Sequence, residues 1–246
     1  MFQNLGEMML LFWRTLRALP LAWRQRHKVF DQFFEIGNAS LLMVCILSFF
    51  IGGVLALQTG PFMAERGLVG YLAGIVGYSH CRELAPIMMA ILIAGRVGSA
   101  MAAEIGSMQV YQEIDALRTM NINPIHYLVL PRLLAIAVAL PMLVIFADLV
   151  GWLGGAVVAA ANRSIDVGFQ PFFANLREIV EISDVAHGVA KSFCFALIVG
   201  TVSCHQGLAT IGGPRGIGRS VTKAVVNSIV LVVISDYFLT RVLLKS

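Results

Sequence analysis

Apolar positions run almost unbroken through this chain, and the few polar interruptions divide it into lengths that each suit a membrane-crossing helix. Ile36 to Ala64 holds no charged residue in 29 positions, enough for one crossing with tilt, because about 20 residues span the hydrocarbon. Gly67 to Ala103 is interrupted only by Arg82, Glu83 and Arg96. At about 1.5 Å per residue it is too long for one simple crossing. A re-entrant or periplasmic piece is therefore predicted, then a second span from about Leu84. A polar cluster from Glu104 to Arg132 follows. Leu133 to Asn162, carrying only Asp148, is the third span, and Arg163 opens a more polar segment that continues through Asp184. The fourth span runs from about Val185 to Cys204 with Lys191 near its start, and the fifth from about Ala224 to Thr240 with Asp236 inside.

Two shorter patterns flank these spans. Leu5, Met9, Phe12, Leu16 and Leu19 recur at helical spacing, with Gln3, Glu7, Arg14 and Arg17 elsewhere around the helix. That pattern predicts a helix lying in the membrane interface, broken at Pro20. It is read as retained, because its apolar core is short and its basic residues follow that core where a signal peptide would carry them first. Between spans two and three, Val110, Ile114 and Leu117 share one helical face, and Asn121 and Pro124 act as stops. A short amphipathic helix is predicted at the cytoplasmic surface. Its flanks carry Glu104, Glu113 and Asp115 against one Arg118, which suits a protein partner better than anionic lipid.

Composition agrees: 58% of residues are hydrophobic, 13% are charged and the mean hydropathy is +0.81, far from the soluble average of about a quarter charged. The sequence predicts an all-α integral membrane protein of five spans, divided into an N-terminal interfacial or elbow segment over residues 1–30 and a transmembrane body over 31–246. Lys and Arg fix the orientation, since cytoplasmic segments carry the excess. With the N-terminus inside, the cytoplasmic set is Arg14, Arg17, Arg24, Arg26, Lys28, Arg118, Arg132, Arg215, Arg219 and Lys223, against Arg66, Arg163, Arg177, Arg241 and Lys245 outside. The C-terminus then faces the periplasm. Cys45, Cys81, Cys194 and Cys204 stand singly and read as small buried hydrophobes.

Enzyme chemistry finds little support. Gly213 to Ser220 reads G-x-x-x-x-G-R-S, but a phosphate loop needs Lys where Arg219 stands and a strand before it. A membrane-proximal turn is predicted there instead. The five histidines are dispersed and no metal-ligand spacing appears, so no metal is expected. Ala90, Ala94, Gly98, Ala102 and Gly106 form a small-residue stripe at four-residue intervals, which admits another helix backbone to backbone. Gly151, Gly155 and Ala159 repeat it in span three. Packing inside the chain and packing against a second copy are both compatible with the stripe.

The stretches "RELAPIMMAILIAGRVGSAMAAEIGSM", "EIDALRTM", "NPIHYLVLPR" and "GGPRGIGRSVTKAVVNS" resemble the MlaE-type permeases, the membrane subunits of ABC transporters that work with Mce-domain proteins on lipids. The resemblance runs from about Ile36 to the end. It implies a homodimer in the bacterial inner membrane, ABC ATPase subunits below, a ring of Mce-domain proteins above, and phospholipid as cargo. ATP and Mg would bind the ATPase chain, with no cofactor on this one and no nucleic acid as partner. The helix from about Ser107 to Met120 becomes the coupling helix that enters the ATPase, with Ser107, Met108, Val110, Tyr111, Glu113, Ile114, Asp115, Leu117 and Arg118 as its docking set. Arg82 and Glu83 correspond to positions near a lipid cavity, with Gln58 as a weaker companion.

An ionised side chain costs at least about 2.5 kcal/mol at the centre of a membrane helix, so such groups pair or face a wet cavity. Adjacent on a helix, Arg82 and Glu83 point about 100° apart and cannot simply neutralise each other. A lipid-head site and a purely structural pair at the bend before Pro86 both remain open, and Arg96 reads as structural. Asp148, Lys191 and Asp236 are candidates for pairing with one another. The chain departs from the family pattern at His80 and Cys81, at Asn121, and at Tyr111, Gln112 and Glu113, where the carboxylate moves by one position. The rival from another class is an ion-coupled carrier using Glu83, Asp148 and Asp236 as a relay; no internal repeat supports it.

Overall fold

The computed structural model describes residues 2–20, 25–162 and 165–243, so Arg24, Arg163 and Lys245 of the orientation count lie outside the described residues. The described residues are almost entirely helical, with no strand. Among them, five helical stretches are long and apolar enough to cross a membrane: Arg26–Ala64, Val69–Val110, Ile125–Ala161, Ile182–Leu208 and Gly213–Leu243. Helix α1 (Phe2–Arg17) precedes them and α2 (Arg26–Ala64) is the first span.

The second span differs from the sequence expectation. No break separates a re-entrant piece from a span at Leu84. A 3₁₀ turn (Val69–Tyr71), α3 (Leu72–Ser79), a π-helical turn (His80–Leu84), α4 (Ala85–Ile93), a second π turn (Ala94–Gly98) and α5 (Ser99–Val110) follow without interruption. Pro86 explains the first π turn. A proline removes one backbone donor and its ring crowds the carbonyl four residues earlier, and widening the preceding turn relieves both. The same arrangement recurs at the third span, where a π turn (Ile125–Val129) leads into α7 (Leu130–Ala161) just before Pro131.

The segment between Arg163 and Asp184 also holds more order than its polarity implies. It contains α8 (Phe169–Ile179), whose Phe172 and Leu176 are buried beside Leu72, Ala73 and Val76 of α3. Helix α9 (Ile182–Leu208) is the fourth span. The predicted glycine-rich turn shrinks to Gly212 and Gly213, at φ +91° and +70°; from there α10 (Gly213–Leu243) continues as helix through Gly216 and Gly218.

The amphipathic segment after the second span is two pieces. Helix α5 carries Ser107, Met108 and Val110, the chain turns at Tyr111 and Gln112, and α6 (Glu113–Thr119) begins anew. Gln112 has φ +61°, a left-handed conformation that no α-helix accommodates, which divides the predicted single helix. Asn121 closes α6 at φ +60°. Gln112→Val, with a β-branched side chain forced into that region, is expected to lower stability by about 1–2 kcal/mol in thermal unfolding, while Gln112→Gly is tolerated.

The chain forms two compact units. One comprises residues 1–39, 90–140 and 193–246, and its core around α6 gathers Leu11, Ile105, Ile114, Leu128, Val129 and Cys204. The other comprises residues 40–89 and 141–192, with the α3–α8 cluster as part of its core.

Candidate functional site

The costly charges of the second span lie in the first π turn, within the second unit. An α-helical turn here would present Arg82 and Glu83 at fixed 100° spacing; the wider turn changes that spacing and both side chains reach α9. The Arg82 guanidinium lies 3.6 Å from the Asp184 carboxylate and 3.3 Å from His187 Nδ1, and donates to the Tyr78 hydroxyl. Its carbon also stands 5.1 Å from the centre of the Tyr78 ring. The Lys191 ammonium donates to the Glu83 carboxylate at 2.7 Å. Lys191 is thus partnered by Glu83, a pairing outside those the sequence offers.

Burial within this cluster is uneven. The Lys191 side chain is 3% exposed and that of Glu83 is 42% exposed, with Arg82 and Asp184 at 15% and 10%. The cluster therefore offers an acidic edge over a sealed basic floor. Gln58, on α2, has its side chain exposed, while Arg82 and Glu83 engage α9. Asp184 also caps the start of α9, where its Oδ2 accepts the Glu181 backbone N–H at 3.1 Å.

Glycines bring the backbones close enough for these contacts. A Cβ at Gly188 of α9 would strike the Cys81 carbonyl, and a Cβ at Gly151 of α7 would fall on the His80 ring. His80 occupies that notch fully buried, with Nε2 3.1 Å from the Ser48 hydroxyl and 3.3 Å from the Ala147 carbonyl, to which Ser48 also donates. The structure gives His80 a polar niche and buries Cys81 completely. Asp148 is 1% exposed, and neither of its carboxylate oxygens has a hydrogen-bond partner among the described residues.

The remaining candidates lie in the first unit. A Cβ at Gly98 would meet Ser203 Oγ and one at Gly106 would meet Thr210 Oγ1, both at 2.8 Å, and Ala94 and Ala102 are fully buried. The small-residue stripe thus packs inside the chain. Arg96 is exposed in the second π turn and shares a cleft with Gln32, Glu35 and Glu104. On α6, Ile114 is fully buried and Leu117 packs on the same core, whereas Glu113, Asp115 and Arg118 face outward, Arg118 with Asp115 at 3.0 Å, as does Tyr111 in the preceding turn.

Sequence reasoning misses two of the partners on α9, Asp184 and His187. Asp184 falls in a segment that reads as polar loop, and His187 carries no signal because its partner Arg82 lies over a hundred residues away. No group of three or more potential metal ligands is assembled among the described residues.

Among the described residues, five apolar helices define a multi-pass α-helical membrane protein. The chain belongs to the MlaE permease family, which matches residues 29–242, and is an ABC transporter permease. It is 36% identical to a probable ABC transporter permease protein of Rickettsia typhi over 217 residues, covering 88% of this chain and 83% of that one. A probable ABC transporter permease protein of Synechocystis is 36% identical over 215 residues, 87% and 81% of the two chains. The chloroplastic protein TRIGALACTOSYLDIACYLGLYCEROL 1 of Arabidopsis thaliana is 34% identical over 228 residues, 92% of this chain and 64% of that one.

Proposed function

We propose that this permease moves lipid, most simply phospholipid, between the inner membrane and the outer envelope, with Arg82 and Glu83 engaging the polar head. The observation that carries the reading is the ionic cluster in the π turn. Its half-exposed Glu83 carboxylate and the Arg82 guanidinium beside it bring opposite charges to one edge of an otherwise apolar span, as an amphiphile with a zwitterionic head requires. A relative named for a galactolipid supports the substrate class. Gln58 is a weaker companion on the same lipid.

In this reading two copies of the chain form the transporter, N-termini in the cytoplasm and C-termini in the periplasm. Residues 1–30 act as an elbow on the permease body. A separate ABC ATPase binds ATP and Mg and docks on the segment from Ser107 to Arg118, and a ring of Mce-domain proteins continues the path above. Support for the docking comes from α6, which anchors Ile114 in the core and leaves Tyr111, 66% exposed, at its head. Tyr111→Ala is expected to reduce ATPase recovery roughly tenfold on affinity purification, an anchor-sized loss, with the unfolding temperature unchanged.

The decisive experiment is purification of the tagged chain in mild detergent, with mass spectrometry of co-purifying proteins and lipids. An ATPase, an Mce-domain protein and phospholipid together support the reading. Recovery of the chain alone, with uptake in liposomes driven by an ion gradient, overturns it.

A further inference from the structure

Along α1, the first unit holds three adjoining hollows whose chemistry changes from one end to the other. The first is an almost wholly apolar groove of about 810 Å³ between α1 and the two last spans, with Phe12 and Trp13 on one side and Leu197, Ile198, Val202 and Leu231 on the other. It shares Leu10 with a smaller hollow lined by Glu7, Arg14 and His205. That hollow shares Leu11, Arg14 and Leu208 with a cleft of about 610 Å³, which adds Arg17, Arg118, Asn123 and His126.

The charges at this polar end are lopsided. Arg14 and Arg17 are exposed, with Arg17 stacked on Trp13 at 5.5 Å. Arg118 is shared with Asp115, and the one acid lining the hollows among the described residues, Glu7, lies 3.3 Å from His205. Arg14 and Arg17 thus face the cleft without an acidic group in its lining to answer them. Met9, Leu10 and Trp13 are meanwhile 75%, 57% and 56% exposed on the same helix, so α1 presents apolar bulk and positive charge side by side.

We propose that a single anionic phospholipid binds here, its acyl chains in the groove and its phosphate at Arg14 and Arg17. The amphiphile fits on two counts. The groove volume is that of a small-molecule site and its lining is apolar, and the adjoining cations supply what a phosphate attracts. A soluble anion would leave the groove empty, and a protein helix would leave the arginines unanswered. The bound molecule is a resident lipid of α1, distinct from any lipid at Arg82 and Glu83, so the inference stands or falls independently of the transport reading.

The test is native mass spectrometry of the full chain purified in mild detergent with equimolar dioleoyl phosphatidylglycerol and dioleoyl phosphatidylcholine. Retention of phosphatidylglycerol over phosphatidylcholine by roughly tenfold is expected, from two surface arginines. Arg14→Gln with Arg17→Gln should bring the two lipids to parity, while Arg215→Gln with Arg219→Gln, exposed on α10, should keep the preference. Equal retention by the wild-type chain, or a preference untouched by the Arg14 and Arg17 changes, overturns the proposal. So does full displacement of the lipid by glycerol phosphate alone, which would make this a simple anion site. Should the double variant fail to fold, raising salt on the wild-type chain decides the same question: the preference must fall with ionic strength, and a salt-independent preference overturns it.

Discussion

Glu83→Ala is expected to abolish lipid movement in a reconstituted transporter and, in addition, to weaken the folded chain by up to about 3 kcal/mol, because it removes a carboxylate 2.7 Å from an ammonium that is 3% exposed. Burial of Lys191 is the source of this stability cost. A charge exchange separates the two contributions. Glu83→Lys with Lys191→Glu rebuilds an ion pair and should recover much of the lost stability, read as the unfolding temperature in detergent. Transport should stay absent, because the exposed edge has changed sign. If the exchange restores transport as well, the pair serves structure alone and the head-group role of Glu83 is withdrawn.

The second large effect lies where α2 meets α7. A Cβ at Gly52 would sit inside the Gly151 carbonyl and within 3.0 Å of the Gly151 Cα, and a Cβ at Gly154 would do the same to the Phe49 backbone. Both obstacles are backbone, so no rotamer change gives relief. Gly52→Leu is therefore expected to cost about 3 kcal/mol or more and to leave little monodisperse protein on size-exclusion chromatography. Gly37→Leu on the same helix meets nothing within 4 Å and should behave as wild type. Normal yield of the Gly52 variant would mean that α2 and α7 do not approach as described.

The membrane architecture is legible in the sequence because hydropathy is additive over about 20 residues and needs no knowledge of neighbours. Boundaries are less so. Helix α2 begins ten residues before Ile36, since His27, Lys28 and Asp31 extend a helix beyond its apolar run. Helix α8 is present as Phe169, Phe172, Phe173 and Leu176 at helical spacing, masked by the polar residues around it. The break expected at Leu84 comes from length, because Gly67 to Ala103 exceeds one simple crossing, whereas helix runs through the whole of Val69–Val110. Asp184 and Lys191 meet Arg82 and Glu83 from α9, and nothing in a linear pattern identifies partners so far along the chain. In the same way Arg82 and Glu83 can be recognised as expensive, but not which group meets each. The left-handed Gln112 carries no sequence signal at all, because glutamine has no preference for that conformation.

The second π turn has one more consequence. In a regular helix each residue turns by about 100°, so positions four apart advance by about 40° each step. Ala90, Ala94, Gly98, Ala102 and Gly106 would then wind roughly 160° around their helix and end on nearly opposite sides of it. A π turn takes in one additional residue, which sets the winding back by nearly one residue's rotation, about 100°. The turn at Ala94–Gly98 lies in the middle of the series, and all five positions are buried. What looks like a flaw in the helix thus acts as a phase correction: a ruler of four, slightly too long for the α-helical pitch, is returned to a single seam in mid-course. The small residues and the wide turn form one device, and neither would keep the seam straight without the other.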